Sequence, residues 1–177
     1  MENTATPVST TATGIRYGLV TGLIWMIVDF VFRVTGLSLK YSLYLPASLV
    51  VYFVGIIMAH LSFRKQKGGF MSYGQGVMIV VILSLVSGTF SGLFNYVYVN
   101  FIDPDYAARV RADMEAWMSS FNGISDEQIE ETLAGLSDEK VKSPLQIGQT
   151  LLSSAFGGLI VGLLISIFTR RNRPEFE

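Results

Sequence analysis

Four stretches of this chain stay apolar long enough to cross a bilayer, and the polar residues are confined to short links and one long connector. An α-helix rises about 1.5 Å per residue, so roughly 20 apolar residues span a hydrocarbon core about 30 Å thick. Residues 15–36, 45–63, 73–101 and 144–169 meet that length. The pattern predicts an all-α, four-helix transmembrane bundle, with an amphipathic helical insert at 103–143 between spans 3 and 4.

The first span has two faces. At 100° per residue Gly14, Gly18, Gly22, Trp25, Asp29, Arg33 and Gly36 share one side, and Leu, Ile, Val and Phe fill the other. One side is built to meet protein, the other lipid. Span 2 aligns Ser48, Tyr52, Gly55, Ala59 and Ser62, span 3 aligns Ser84, Gly88, Ser91 and Asn95, and span 4 steps through Ser154, Gly158, Gly162 and Ser166. Small residues let backbones approach closely, so these ladders are expected to serve packing within the bundle. Pro46 is placed in a first helical turn, where its missing N–H is no loss. The run Phe94–Phe101 supplies Phe94, Tyr96, Tyr98 and Phe101 as an aromatic belt at headgroup level.

Between Asp103 and Ser143 the chemistry changes. Ten acids and four bases give the connector a formal charge of −6. Asp103-Pro104 reads as a helix start, and Ala107, Val110, Met114, Trp117, Met118 and Phe121 form an apolar stripe after it. Asn122-Gly123 breaks that helix. Ser125 with Gln128 makes a capping box that opens a shorter one, and Ser143-Pro144 starts span 4. Residues 1–13, small and threonine-rich, are expected to be a disordered tail. Residues 14–171 then form a single integral membrane domain, and 172–177 a C-terminal tail. Arg16 is the only base before the first apolar run and no small-residue cleavage site follows it, so that span is expected to remain uncleaved.

Composition sharpens this picture. Half of the 177 residues are hydrophobic, 15% are charged and the net charge is −1, with a mean hydropathy of +0.45. No global field favours nucleic acid. There is no cysteine and one histidine, His60, so disulfides, thiolate chemistry and a multi-histidine metal site are excluded within one chain. His60 is expected at the membrane boundary. Basic residues set orientation: Arg16, Arg64, Lys65, Lys67, Arg170, Arg171 and Arg173 fall on one side, against Arg33, Lys40, Arg109, Arg111, Lys140 and Lys142 on the other. The first set is the denser, which places both termini in the cytoplasm and the 103–143 insert outside. The link at 64–67 carries three charges, short of a dedicated lipid-binding cluster.

Candidate chemistry is sparse. Asp29 at membrane depth requires a partner, because an unpaired acid there costs about 3 kcal/mol on insertion scales. Arg33, four residues on, has the spacing of a same-helix pair. The preferred reading is a local ion pair at the outer boundary. The sharper one is an intramembrane polar cluster of Asp29, Arg33 and Asn95 that could line a transport path. Val110, Met114, Trp117 and Phe121 are a candidate interfacial docking stripe. Gly74-Gln75-Gly76 lacks the third glycine of a dinucleotide fingerprint and follows no strand. No catalytic, cofactor-binding or metal-binding constellation emerges.

Several landmarks coincide in order and spacing with a known family. They are Tyr17-Gly18 with Gly22, the run Gly69-Phe70-Met71-Ser72-Tyr73-Gly74-Gln75, then Asn100-Phe101-Ile102-Asp103-Pro104, and Lys142-Ser143-Pro144. In these the chain resembles the bacterial membrane family catalogued as domain of unknown function 4199. Gly76, where alanine is more usual, is a departure. The resemblance implies four spans, an extracytoplasmic helical insert and the bacterial inner membrane. It implies no activity, cofactor or catalytic residue. The combined expectation is a non-enzymatic scaffold or regulatory membrane module whose partners are the lipid bilayer and a membrane protein or a second copy. The alternative is a small transporter or channel that uses the Asp29, Arg33 and Asn95 face.

Overall fold

A computed structural model describes residues 8–172. Seven α-helices follow one another: α1 (Thr10–Val34), α2 (Tyr41–Gln66), α3 (Tyr73–Val97), α4 (Tyr106–Ser119), α5 (Asp126–Ala134), α6 (Asp138–Lys142) and α7 (Leu145–Thr169). Four of them, α1, α2, α3 with its extension to Ile102, and α7, are long and apolar enough to cross a membrane. The helices α4, α5 and α6 lie in the connector.

Helix boundaries follow local chemistry. α1 starts four residues before the expected Gly14, because Ser9 caps it by accepting from the Ala12 N–H at 3.3 Å. The expected disordered tail is therefore helical from Thr10 onward, and its first seven residues lie outside the described part. Gly36 ends this segment at φ 71°, a left-handed conformation that suits glycine. α2 also starts earlier than expected: the Lys40 carbonyl accepts from Leu43 and Tyr44. Pro46 thus sits inside the helix rather than in its first turn, and the extra turn carries Tyr44. Ser72 and Gln75 form a reciprocal capping box on α3. α3 does not run straight to its end. It passes into a π-helical turn over Tyr98–Ile102, a widening that re-aims the side chains on it.

α3 is the central helix, packed against α1 on one side and α7 on the other, with α2 alongside α1. The glycines make these approaches possible. On α1 the missing side chains of Gly14 and Gly18 are filled by Ile82 and Val86 of α3, and Gly22 faces Ser87. Gly88 faces Ser154 of α7, and Gly158 of α7 faces Ser84 of α3. The small-residue ladders thus meet inside one chain. The opposite face of α1, with Ile15, Leu19, Leu23, Ile27 and Val31, is exposed.

The core nearest the chain termini gathers Ile56, Ala59, Phe63, Met71, Ile79, Val80 and Leu83. At the connector end a second cluster joins Tyr98, Val99, Tyr106, Ala107 and Val141. A third, Met118 with Ile129 and Leu133, holds α4 against α5. Between α2 and α7 lies an apolar cleft of about 470 Å³, with Phe53 and Ile56 on one side and Val161 and Ile165 on the other. His60 lies one turn beyond Ile56 on α2. It is 1% exposed, enclosed by protein: its Nε2 is 3.1 Å from the Gly76 carbonyl and its Nδ1 2.8 Å from Thr169 Oγ1. A carbonyl only accepts, so Nε2 carries the proton.

Candidate site: a buried ion pair under an aromatic cover

Asp29 and Arg33 stand one turn apart on α1, where spacing alone makes them neighbours. Arg33 donates to Asp29 Oδ2 through Nε at 3.1 Å and lies 3.0 Å from it through Nη2. The second carboxylate oxygen accepts from the Tyr44 hydroxyl at 2.9 Å. Both oxygens of Asp29 are therefore engaged, and the residue is 4% exposed. Tyr44 is itself held edge-on to Trp25 and Phe32, with centroids 5.3 and 5.9 Å away.

The guanidinium of Arg33 is enclosed by rings. Its Cζ lies 5.3 Å from the Phe94 centroid, 4.8 Å from Tyr98 and 4.6 Å from Tyr106, and the side chain is 7% exposed. Aromatic faces carry negative quadrupole density, so a desolvated cation gains from each such contact. Phe94 belongs to α3, Tyr98 to the π-helical turn and Tyr106 to α4. One cation from α1 thus meets three consecutive parts of the chain.

The network continues outward. Arg109 pairs with Asp103 Oδ2, which also accepts from the Tyr98 hydroxyl at 3.5 Å. Tyr106 stands between the two arginines, with Arg109 5.9 Å from its ring. That hydrogen bond with Asp103 is the main reason the Arg109 guanidinium titrates above its ordinary value. Asn100 Nδ2 donates to the Tyr96 and Lys142 carbonyls, tying the π-helical turn to the end of α6.

Asn95 is not brought into this cluster. Among the described residues it forms no hydrogen bond with Asp29 or Arg33. It shares its helix face with Gly88, which turns toward Ser154 of α7, whereas Phe94, one residue earlier, faces α1. The expected docking stripe divides as well. Val110 packs on the Tyr98–Tyr106 cluster and Met114 on the α4–α5 cluster. Trp117 and Phe121 stack edge-to-face at 4.8 Å and stay 49% and 47% exposed.

Sequence reasoning missed Tyr44, Tyr98 and Tyr106 as partners of the ion pair. Tyr98 was expected in a headgroup belt with Phe101, yet it is buried while Phe101 is exposed. The widened turn between them separates their directions. The chemistry this arrangement offers is cohesion: a charge pair sealed by rings, clasping the connector to the long helices.

Four long apolar helices with α3 at their centre, and a buried charge pair closed off by aromatic side chains, point to a membrane protein. The family described as protein of unknown function DUF4199 matches residues 16–171, and the chain belongs to it. No curated protein and no solved structure gives a significant match.

Proposed function

We propose that this protein is a non-enzymatic membrane module that scaffolds or regulates a membrane partner. In this reading it sits in the bacterial inner membrane with both termini in the cytoplasm and the acidic 103–143 connector outside. One observation carries the reading: the intramembrane charges are consumed by each other. Asp29 spends both oxygens on Arg33 and Tyr44, and the Arg33 guanidinium is covered by three rings. A path for ions or protons would need a charge that water reaches and that can change partners.

Support for a docking role comes from the connector, where Trp117 and Phe121 form an exposed aromatic pair on an otherwise acidic surface. Aromatic residues of this kind anchor interfaces. The test has two arms. Wild-type protein and a Trp117→Ser, Phe121→Ser variant are purified in mild detergent after cross-linking in membranes. A membrane protein or second copy of defined mass is expected with the wild type and is lost in the variant. In the second arm the protein in liposomes is assayed for proton and ion flux. A flux that Asp29→Asn abolishes would replace this reading with the transporter or channel.

A further inference from the structure

The end of the bundle where α1 begins and α7 ends gathers cations from three separate regions. Arg16 lies near the start of α1, Arg64 and Lys65 end α2, Lys67 follows in the link, and Arg170 and Arg171 follow α7. Two contacts bring these regions together. Met71 and Arg171 exchange both backbone hydrogen bonds at 2.9 Å, and Arg64 Nη1 donates to the Thr169 carbonyl at 3.5 Å. Arg16 lines a shared surface hollow with Gln66. The count rises from three charges in one link to six on one collar.

Nothing described neutralises them. The three ion pairs among the described residues involve Asp29, Asp103 and Asp138, and no acid occurs in the sequence from Phe30 to Ile102. Asp29, the acid nearest in sequence to Arg16, is taken by Arg33, and Glu2, Glu175 and Glu177 fall outside the described residues. Between Lys67 and Arg171 opens a cavity of about 330 Å³, walled by Phe70, Met71, Ser72, Gln75 and Asn172. The Ser72 and Gln75 side chains are already spent on the α3 cap, and Lys67 and Arg171 are the charged residues of the lining. It sits where the spans end, at the level of lipid headgroups.

We propose that this collar binds anionic phospholipid, with the headgroup phosphate seated in the cavity between Lys67 and Arg171. Four to eight cations beside a span attract anionic headgroups, each contributing when near the surface. Apolar walls at Phe70 and Met71 suit a ligand that is part of the membrane rather than a soluble anion. The site is independent of the docking role above.

The test is native mass spectrometry of the full chain in detergent, titrated with phosphatidylglycerol and with phosphatidylcholine of the same acyl chains. The wild type retains phosphatidylglycerol preferentially, and added salt weakens that retention. A Lys67→Gln, Arg171→Gln variant binds it about twenty- to thirty-fold more weakly, the effect of two surface cations. An Arg111→Gln control on the connector changes nothing. Equal retention of both lipids overturns the proposal, as does undiminished phosphatidylglycerol binding by the double variant. Displacement of the lipid by millimolar glycerol phosphate overturns it in favour of a small soluble anion.

Discussion

The Arg33 guanidinium lies 4.6 Å from the ring of Tyr106, and this contact joins the first span to the first helix of the connector across more than 70 residues of sequence. The pair Asp29–Arg33 is therefore not merely a local device for hiding charge. It fixes where the connector sits on the bundle.

Removing one partner should be worse than removing both. Arg33→Met leaves the Asp29 carboxylate buried with Tyr44 as its remaining partner, and an uncompensated buried charge costs about 3–5 kcal/mol. An Asp29→Leu, Arg33→Met double variant should recover most of that loss. Thermal unfolding in detergent measures both. A single Arg33→Met variant as stable as the wild type would mean that the pair does not hold the fold.

The same spacing on the surface should matter little. Lys142 and Asp138 also stand one turn apart at 3.0 Å, but Asp138 is 59% exposed. An exposed pair of this kind contributes about 0.3–0.5 kcal/mol. Asp138→Asn is expected to leave the unfolding midpoint within experimental error, and a large drop would contradict the ranking by burial.

Two adjacent glycines of α7 should behave oppositely. A Cβ at Gly158 would lie 2.4 Å from the Cβ of Ser84, whereas one at Gly157 meets nothing within 4 Å. Gly158→Ala should destabilise by about 1–3 kcal/mol through overpacking, and Gly157→Ala should be neutral or slightly stabilising, since alanine favours helix. Adding Ser84→Gly to Gly158→Ala removes the opposing Cβ and should restore stability. Failure of that rescue would mean that the α3–α7 contact is not as close as described.

His60 ties α2 to the start of α3 and to the end of α7. His60→Leu keeps the bulk but leaves the Gly76 carbonyl without this donor in a buried setting, which costs about 1–3 kcal/mol. Hydrogen exchange should rise first at the ends of α2 and α7 around Thr169. Exchange that rose uniformly, or not at all, would assign His60 no part in closing that end.

Much of this architecture is legible in sequence because its causes are local. The capping boxes Ser72/Gln75 and Ser125/Gln128 depend on residues three apart, and both form. The ion pair Asp29–Arg33 follows from the helical repeat in the same way. The partners from other helices do not. Asn95 and Phe94 are neighbours in sequence, and the rotation of α3 about its axis decides which of them faces α1. Tyr98 and Phe101 look alike in a run of aromatics until the π-helical turn sends one inward and the other out. Pro46 suggested a start to α2 one turn too late, which concealed Tyr44.

The chain by itself determined four helices long and apolar enough to cross a membrane, the small-residue faces through which they meet, the acidic helical connector and the charge pair one turn apart on α1. Each rests on length, periodicity or a spacing within one helix, where geometry is nearly fixed by the backbone. Only the tertiary structure decided that three rings close over Arg33, that an apolar cleft opens between α2 and α7, and that cations from the start of α1, the end of α2 and the end of α7 form one collar. Those outcomes depend on how helices rotate and cross, and packing between residues distant in sequence sets both.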